Sequence, residues 1–118
     1  MDGIARGAKM RVQIGNYPKS SSKVGRKIKI HIDPWDIYNV DHTISLVLAP
    51  LLRRFREHTS SYPSHLDEKE WKEILDKMIW SFDQVAADEL STCSDLKFLC
   101  QVEEGLELFA KWFQHLWF

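Results

Sequence analysis

The hydrophobic period of this chain changes once, and that change limits what it can fold into. Met10, Val12 and Ile14 alternate with Arg11 and Gln13, and Ile28, Ile30 and Ile32 alternate with Lys29 and His31. A period of two is the signature of a strand with one apolar face. From Asp41 onward the apolar residues recur at three and four, which is the spacing of an amphipathic helix. The two periods together predict an α+β fold, an N-terminal β-hairpin over 9–32 packed on three α-helices over 41–118. At 118 residues the chain fits one domain.

Between the expected strands, 15–25 holds Asn16, Pro18, three serines and two glycines, which is turn chemistry. Alternation predicts that the Val and Ile side chains form a core face, leaving Arg11, Gln13, Lys27, Lys29 and His31 on a basic outer face. Helix one is expected to begin near Asp41, with Ile44, Val47, Leu48, Leu51, Leu52 and Phe55 as its core stripe. Pro50 should kink or interrupt it. Ser64 with Asp67 resembles a capping box ahead of helix two, whose predicted stripe is Trp71, Ile74, Leu75, Met78, Phe82, Val85 and Ala86. Helix three is expected from about Ser94 to the end, on Leu96, Leu99, Val102, Leu106, Phe109, Phe113 and Leu116. Gly105 inside that stripe predicts a close crossing by another element, since a helix-interior glycine otherwise costs about 1 kcal/mol relative to alanine.

Charge is segregated along the chain. Residues 1–30 carry eight basic side chains and one acidic one, whereas residues 67–107 carry four and twelve. A large acidic surface would repel a polyanion, so a general nucleic-acid-binding role is disfavoured. No apolar run approaches the roughly 20 residues that cross a bilayer, and the opening residues lack the apolar core of a secretory signal, so no membrane partner is expected. Cys93 and Cys100, seven apart in a helical pattern, are roughly 10 Å apart along the axis and too far for a mutual disulfide; reduced thiols fit a cytosolic compartment.

His31, Asp33, Asp36, Asp41 and His42 concentrate acid, base and ligand chemistry in a short span. They match no metal motif, and aspartates at a helix entrance are what capping requires, so neither a catalytic residue nor a metal or cofactor is assigned. The aromatic C-terminus is a stronger signal. Phe109, Trp112, Phe113, Leu116, Trp117 and Phe118 spread too widely around one helix for a single small core, and predict an interface in a homo-oligomer.

The run IDPWDIYNVDHTISLVLAPLL, then EILDKMIWSFDQ, then EGLELFAKWFQHLWF resembles a family of small proteins carried by tailed bacteriophages, and the opening RVQIGNY is similar. The family's IGPY-like, WDxWxxDHT-like, DEMIWAF-like and LFGKYFxxLW-like segments correspond to Ile14–Tyr17, Trp35–Thr43, Asp76–Phe82 and Leu108–Trp117. Tyr38 stands where that family usually has Trp, and an acidic, proline-rich insertion before the second helix is nearly absent. The resemblance implies a viral origin and residence in the cytoplasm of an infected bacterial host, and brings no catalytic residues. With the basic face and the aromatic rings, it suggests a non-enzymatic oligomer that sequesters a small phosphate-bearing nucleotide signal of host immunity. The expected ligand-binding residues are Arg11, Lys27, Lys29, His31, Trp35, Asp36, His42 and Arg53. The alternatives are a virion or assembly protein acting by protein–protein contacts, and a metal-dependent phosphoesterase using the His and Asp cluster.

Overall fold

The computed structural model describes residues 9–17, 25–87 and 95–117. The expectations placed on Pro18, the three serines, Cys93, Ser94 and Phe118 lie outside the described residues. An antiparallel two-stranded hairpin, β1 (Arg11–Ile14) and β2 (Ile28–His31), is followed by three helices, α1 (Val40–His58), α2 (Glu68–Ala86) and α3 (Leu96–Trp112). A single turn of 3-10 helix, Pro34–Ile37, precedes α1, and another, Phe113–His115, extends α3. The fold class is therefore α+β. The chain divides into two compact units, 1–40 and 41–118, at the point where the hydrophobic period changes.

The hairpin has the alternation read from its sequence. Arg11 pairs with His31, Val12 with Ile30, Gln13 with Lys29 and Ile14 with Ile28, so directly opposed residues share a face. Its closure is local: the Gly15 amide donates to the Lys27 carbonyl at 2.7 Å, Arg26 Nε donates to the Gly15 carbonyl at 2.9 Å, and the Arg26 guanidinium lies 4.3 Å from the Tyr17 ring centroid. Gly25 takes φ 82°, a left-handed conformation that favours glycine. The expected core face is not buried. Val12, Ile14, Ile28 and Ile30 are between 41% and 65% exposed. Two strands of four residues make too narrow a ribbon to enclose their own side chains.

The core belongs to the helical unit, and α2 is its axis. Trp71, Leu75, Met78, Ile79, Phe82 and Val85 are buried along one face of α2, with Ala49 and Leu52 from α1 and Val102 and Trp112 from α3. Trp71 meets Trp112 edge-on with centroids 6.0 Å apart, and Phe82 meets Phe109 at 5.0 Å and 84°, the geometry that ring quadrupoles favour. The helix starts are set by aspartates, Asp67 three positions after the expected Ser64 and Asp95 one after the expected Ser94. Asp67 caps α2 in a reciprocal box with Glu70: the Glu70 amide donates to Asp67 Oδ1 at 2.7 Å, and the Asp67 amide donates to Glu70 Oε1 at 3.2 Å. Asp95 caps α3 through the amides of Lys97 and Phe98. A carboxylate at this position satisfies orphan amides and also carries a charge of the sign that the helix dipole favours.

α1 departs from its sequence reading in two ways. It runs unbroken through Pro50, whose ring sits on the solvent side. Its buried residues are Ser45, Ala49 and Leu52, with Leu48 and Phe55 half-buried, while Ile44, Val47 and Leu51 lie outside. The buried Ser45 hydroxyl is satisfied by donating to the Asp41 carbonyl one turn back at 2.7 Å. Ion pairs and a side-chain hydrogen bond lace the rim between α1 and α2. Arg53 Nη2 donates to both Asp83 carboxylate oxygens at 2.8 and 2.7 Å, Arg56 pairs with Asp76, and Lys72 donates to the Arg56 carbonyl.

The close crossing predicted at Gly105 is where α3 meets α2. A Cβ placed on Gly105 would lie 1.9 Å from Ser81 Oγ and 2.4 Å from the Lys77 carbonyl oxygen. The second of these is backbone and cannot swing away. Gly105→Ala should therefore destabilise the protein by about 1–3 kcal/mol despite alanine's better helix propensity. A urea midpoint at or above that of the native chain would contradict this crossing.

Candidate functional site

The hairpin's second face gathers Arg11, Gln13, Lys29 and His31 around a shallow groove of about 250 Å³. The register makes this unavoidable, because Arg11 stands opposite His31 and Gln13 opposite Lys29, at the spacing where cross-strand side chains touch. Among the described residues no carboxylate lines the groove, and none of the three basic side chains has an ion-pair partner. In the helical unit Lys69, Lys97 and Lys111 are likewise in no ion pair among the described residues, but four other cations are matched. Arg53, Arg54, Arg56 and Lys77 are matched with Asp83, Glu57, Asp76 and Glu104. Lys27 is exposed just before β2 and does not line the groove.

The remaining expected ligand-binding residues are not gathered there. Arg53 is held by Asp83, so its guanidinium ties α1 to α2. Asp36 is half-buried and accepts from the Asp33 amide at 2.8 Å, while Asp33 accepts from the Trp35 amide at 3.1 Å; together they form a capping box on the 3-10 turn. Trp35, half-buried, packs against Tyr38 with centroids 5.5 Å apart. His42 Nδ1 lies 3.4 Å from the Val85 carbonyl, near the C-terminal end of α2. Among the described residues, no three His, Cys, Asp or Glu side chains are grouped as metal ligands. No helix of these residues is long and apolar enough to cross a membrane.

The C-terminal aromatic residues divide in the same concrete way. Trp112 is buried in the chain's own core, between the Trp71, His65 and His115 rings. Phe109 and Leu116 are half-buried, and Phe113 and Trp117 are exposed. The predicted interface therefore reduces, among the described residues, to Phe113 and Trp117 with the flanks of Phe109 and Leu116. A shallow hollow of about 40 Å³ beside Trp117 is lined by Ser61, Tyr62, Pro63 and His115 as well.

Sequence reading missed one surface feature, a broad hollow of about 450 Å³ between α2 and α3, lined by Asp76, Lys77, Trp80, Gln101 and Glu104. Trp80 packs edge-on against Phe98, and Lys77 Nζ donates to Glu104 Oε1 at 2.7 Å. The Glu104 hydrogen bond and charge hold the Lys77 ammonium above its ordinary value of 10.5. The only sequence signal was the two charge patterns brought together once Gly105 set the crossing. No protein-family model, curated protein or solved structure matches the chain.

Two outcomes follow. Removing the cap with Asp33→Ala should cost about 1 kcal/mol, read as a lower urea midpoint. The Lys77–Glu104 pair stabilises the fold most fully below the lysine's unfolded value and loses that effect as pH rises through the raised folded value. The midpoint difference between the native chain and Lys77→Met should therefore hold through neutral pH and shrink above pH 10.5.

Proposed function

We propose that this protein is a non-enzymatic binding protein whose hairpin takes the phosphate of a small phosphate-bearing nucleotide, as an accessory protein of a tailed phage that sequesters a host immune signal in the infected cytoplasm. One observation carries the ligand half of this reading. Arg11, Lys29 and His31 share one groove that no carboxylate among the described residues lines, whereas Arg53, Arg56 and Lys77 of the helical unit each face one. Lysine on a strand edge is also a device against edge pairing, but that role asks only for exposure, not for convergence with Arg11 and Gln13. Arginine and lysine together supply the charge-assisted donors that phosphate oxygens accept, and Gln13 adds a neutral donor.

The size of the groove restricts what is bound. About 250 Å³ is below the roughly 300–1,000 Å³ of sites that enclose a drug-sized ligand, so it suits one phosphate group rather than a whole nucleotide. Among the described residues no aromatic ring lines it. A base would rest outside the groove or against a second copy, which is why the reading includes a homo-oligomer. A metal-dependent phosphoesterase is less well supported, because Asp33 and Asp36 are committed to backbone amides. The protein–protein alternative, a virion or assembly component, draws on exposed Phe113 and Trp117 and would be favoured if a defined phage protein co-purified with the native chain but not with Trp117→Ala.

Isothermal titration with inorganic phosphate, adenosine monophosphate, cyclic nucleotides and cyclic ADP-ribose isomers tests the ligand reading. Binding should weaken as salt rises, and Arg11→Ala or Lys29→Ala should each lower affinity by about tenfold or more, while Arg54→Ala leaves it unchanged. Flat titrations across the panel would remove the proposal.

A further inference from the structure

Among the described residues, the four side chains that line the hairpin groove rise from one face of a two-stranded ribbon. Arg11 stands directly opposite His31 and Gln13 directly opposite Lys29, so the groove is a shallow floor with a hydrogen-bond donor at each corner. Opposed residues are about 5 Å apart across the ladder, and the two pairs are about 7 Å apart along the strands, close enough for long side chains to meet on one group. The corners differ in kind. Arg11 and Lys29 hold one diagonal and are cations, whereas Gln13 and His31 hold the other and donate through an amide and a ring N–H.

A floor of this kind meets its ligand from one side only. A phosphate group is a tetrahedron of oxygens, and donors on a floor reach one triangular face of it. A monoester has a face made entirely of unesterified oxygens. In a diester every face includes at least one esterified oxygen, which accepts poorly and carries the rest of the molecule toward the floor. Charge points the same way. A phosphate monoester carries about −1.5 to −2 at pH 7, which Arg11 and Lys29 together balance, while a diester is a monoanion and leaves one of the two cations unmatched.

We infer that the groove selects a terminal phosphate monoester over a phosphodiester, with Arg11 and Lys29 each donating to one oxygen and the Gln13 amide donating to the third. The inference rests on the reading of this groove as a phosphate site, and it narrows the ligand to a nucleotide with a free phosphate end rather than one cyclised through its phosphate.

Isothermal titration of the full chain with methyl phosphate and with dimethyl phosphate, which differ by one ester, tests it. Adenosine monophosphate against cyclic adenosine monophosphate repeats the comparison with a base attached. The monoester should bind about tenfold or more tightly in each pair. Gln13→Met, at an exposed position, keeps the charge and removes the amide donor. It should weaken methyl phosphate by about threefold or more and leave dimethyl phosphate as it is, a change that a preference set by charge alone would not show. Equal affinities within each pair, or a preference that Gln13→Met leaves intact, overturn the inference while the phosphate reading stands; binding of none of the four probes overturns both.

Discussion

The crossing of α3 over α2 at Gly105 is the constraint on which the helical unit depends. With Ser81 Oγ and the Lys77 carbonyl already where a methyl group would stand, the helices approach until backbone meets side chain. That approach carries Trp112 onto Trp71 and Phe109 onto Phe82, so two aromatic pairs are set by the absence of one methyl group. It also brings Lys77 and Glu104 within hydrogen-bonding distance at the rim. Every residue of the buried α2 face then has a neighbour on one side or the other, and the core closes with Ala49 and Leu52 of α1.

Charge in this protein is organised by unit rather than by net balance. The helical unit carries most of the acid and matches its buried-side cations with carboxylates, so Arg53 and Arg56 act as straps between α1 and α2. Such half-exposed pairs contribute little each, and they matter more for register than for stability. The hairpin groove has no such matching among the described residues. Arg11 and Lys29, diagonal neighbours across the ladder, carry like charges that solvent or an anion between them would offset, and that asymmetry is what makes the hairpin face the more informative of the two basic surfaces.

Much of the fold was legible before any tertiary contact was known. The hairpin register follows from alternation, since Val12 and Ile14 can face the same way as Ile28 and Ile30 in only one parity. The α2 stripe was readable because Trp71, Leu75, Met78 and Phe82 repeat at helical spacing with nothing comparable on the opposite side. The caps were harder to read: a serine and an aspartate both qualify, and the choice of Asp67 over Ser64 rests on Glu70 standing three residues on to complete the box. The basic groove was legible as a set of residue types, but the tie of Arg53 to Asp83 was not, because sequence distance says nothing of a partner thirty residues away.

The sequence by itself determined the period of each segment, and with it the number and kind of elements, because backbone geometry converts spacing into faces without reference to the rest of the chain. Tertiary structure alone decided which face of α1 turns inward. Ile44, Val47 and Leu51 have the greater apolar area, yet Ser45 and Ala49 are buried. Leu52 is buried with them, and Ala49 and Leu52 join the core cluster that α2 forms, so the inward face is the one that meets the α2 stripe and not the one with the most apolar area. In α3, likewise, Trp112 is inside against Trp71 and Phe113, one position on, is outside, a choice that the α2–α3 crossing at Gly105 makes and the apolar content of the two side chains does not.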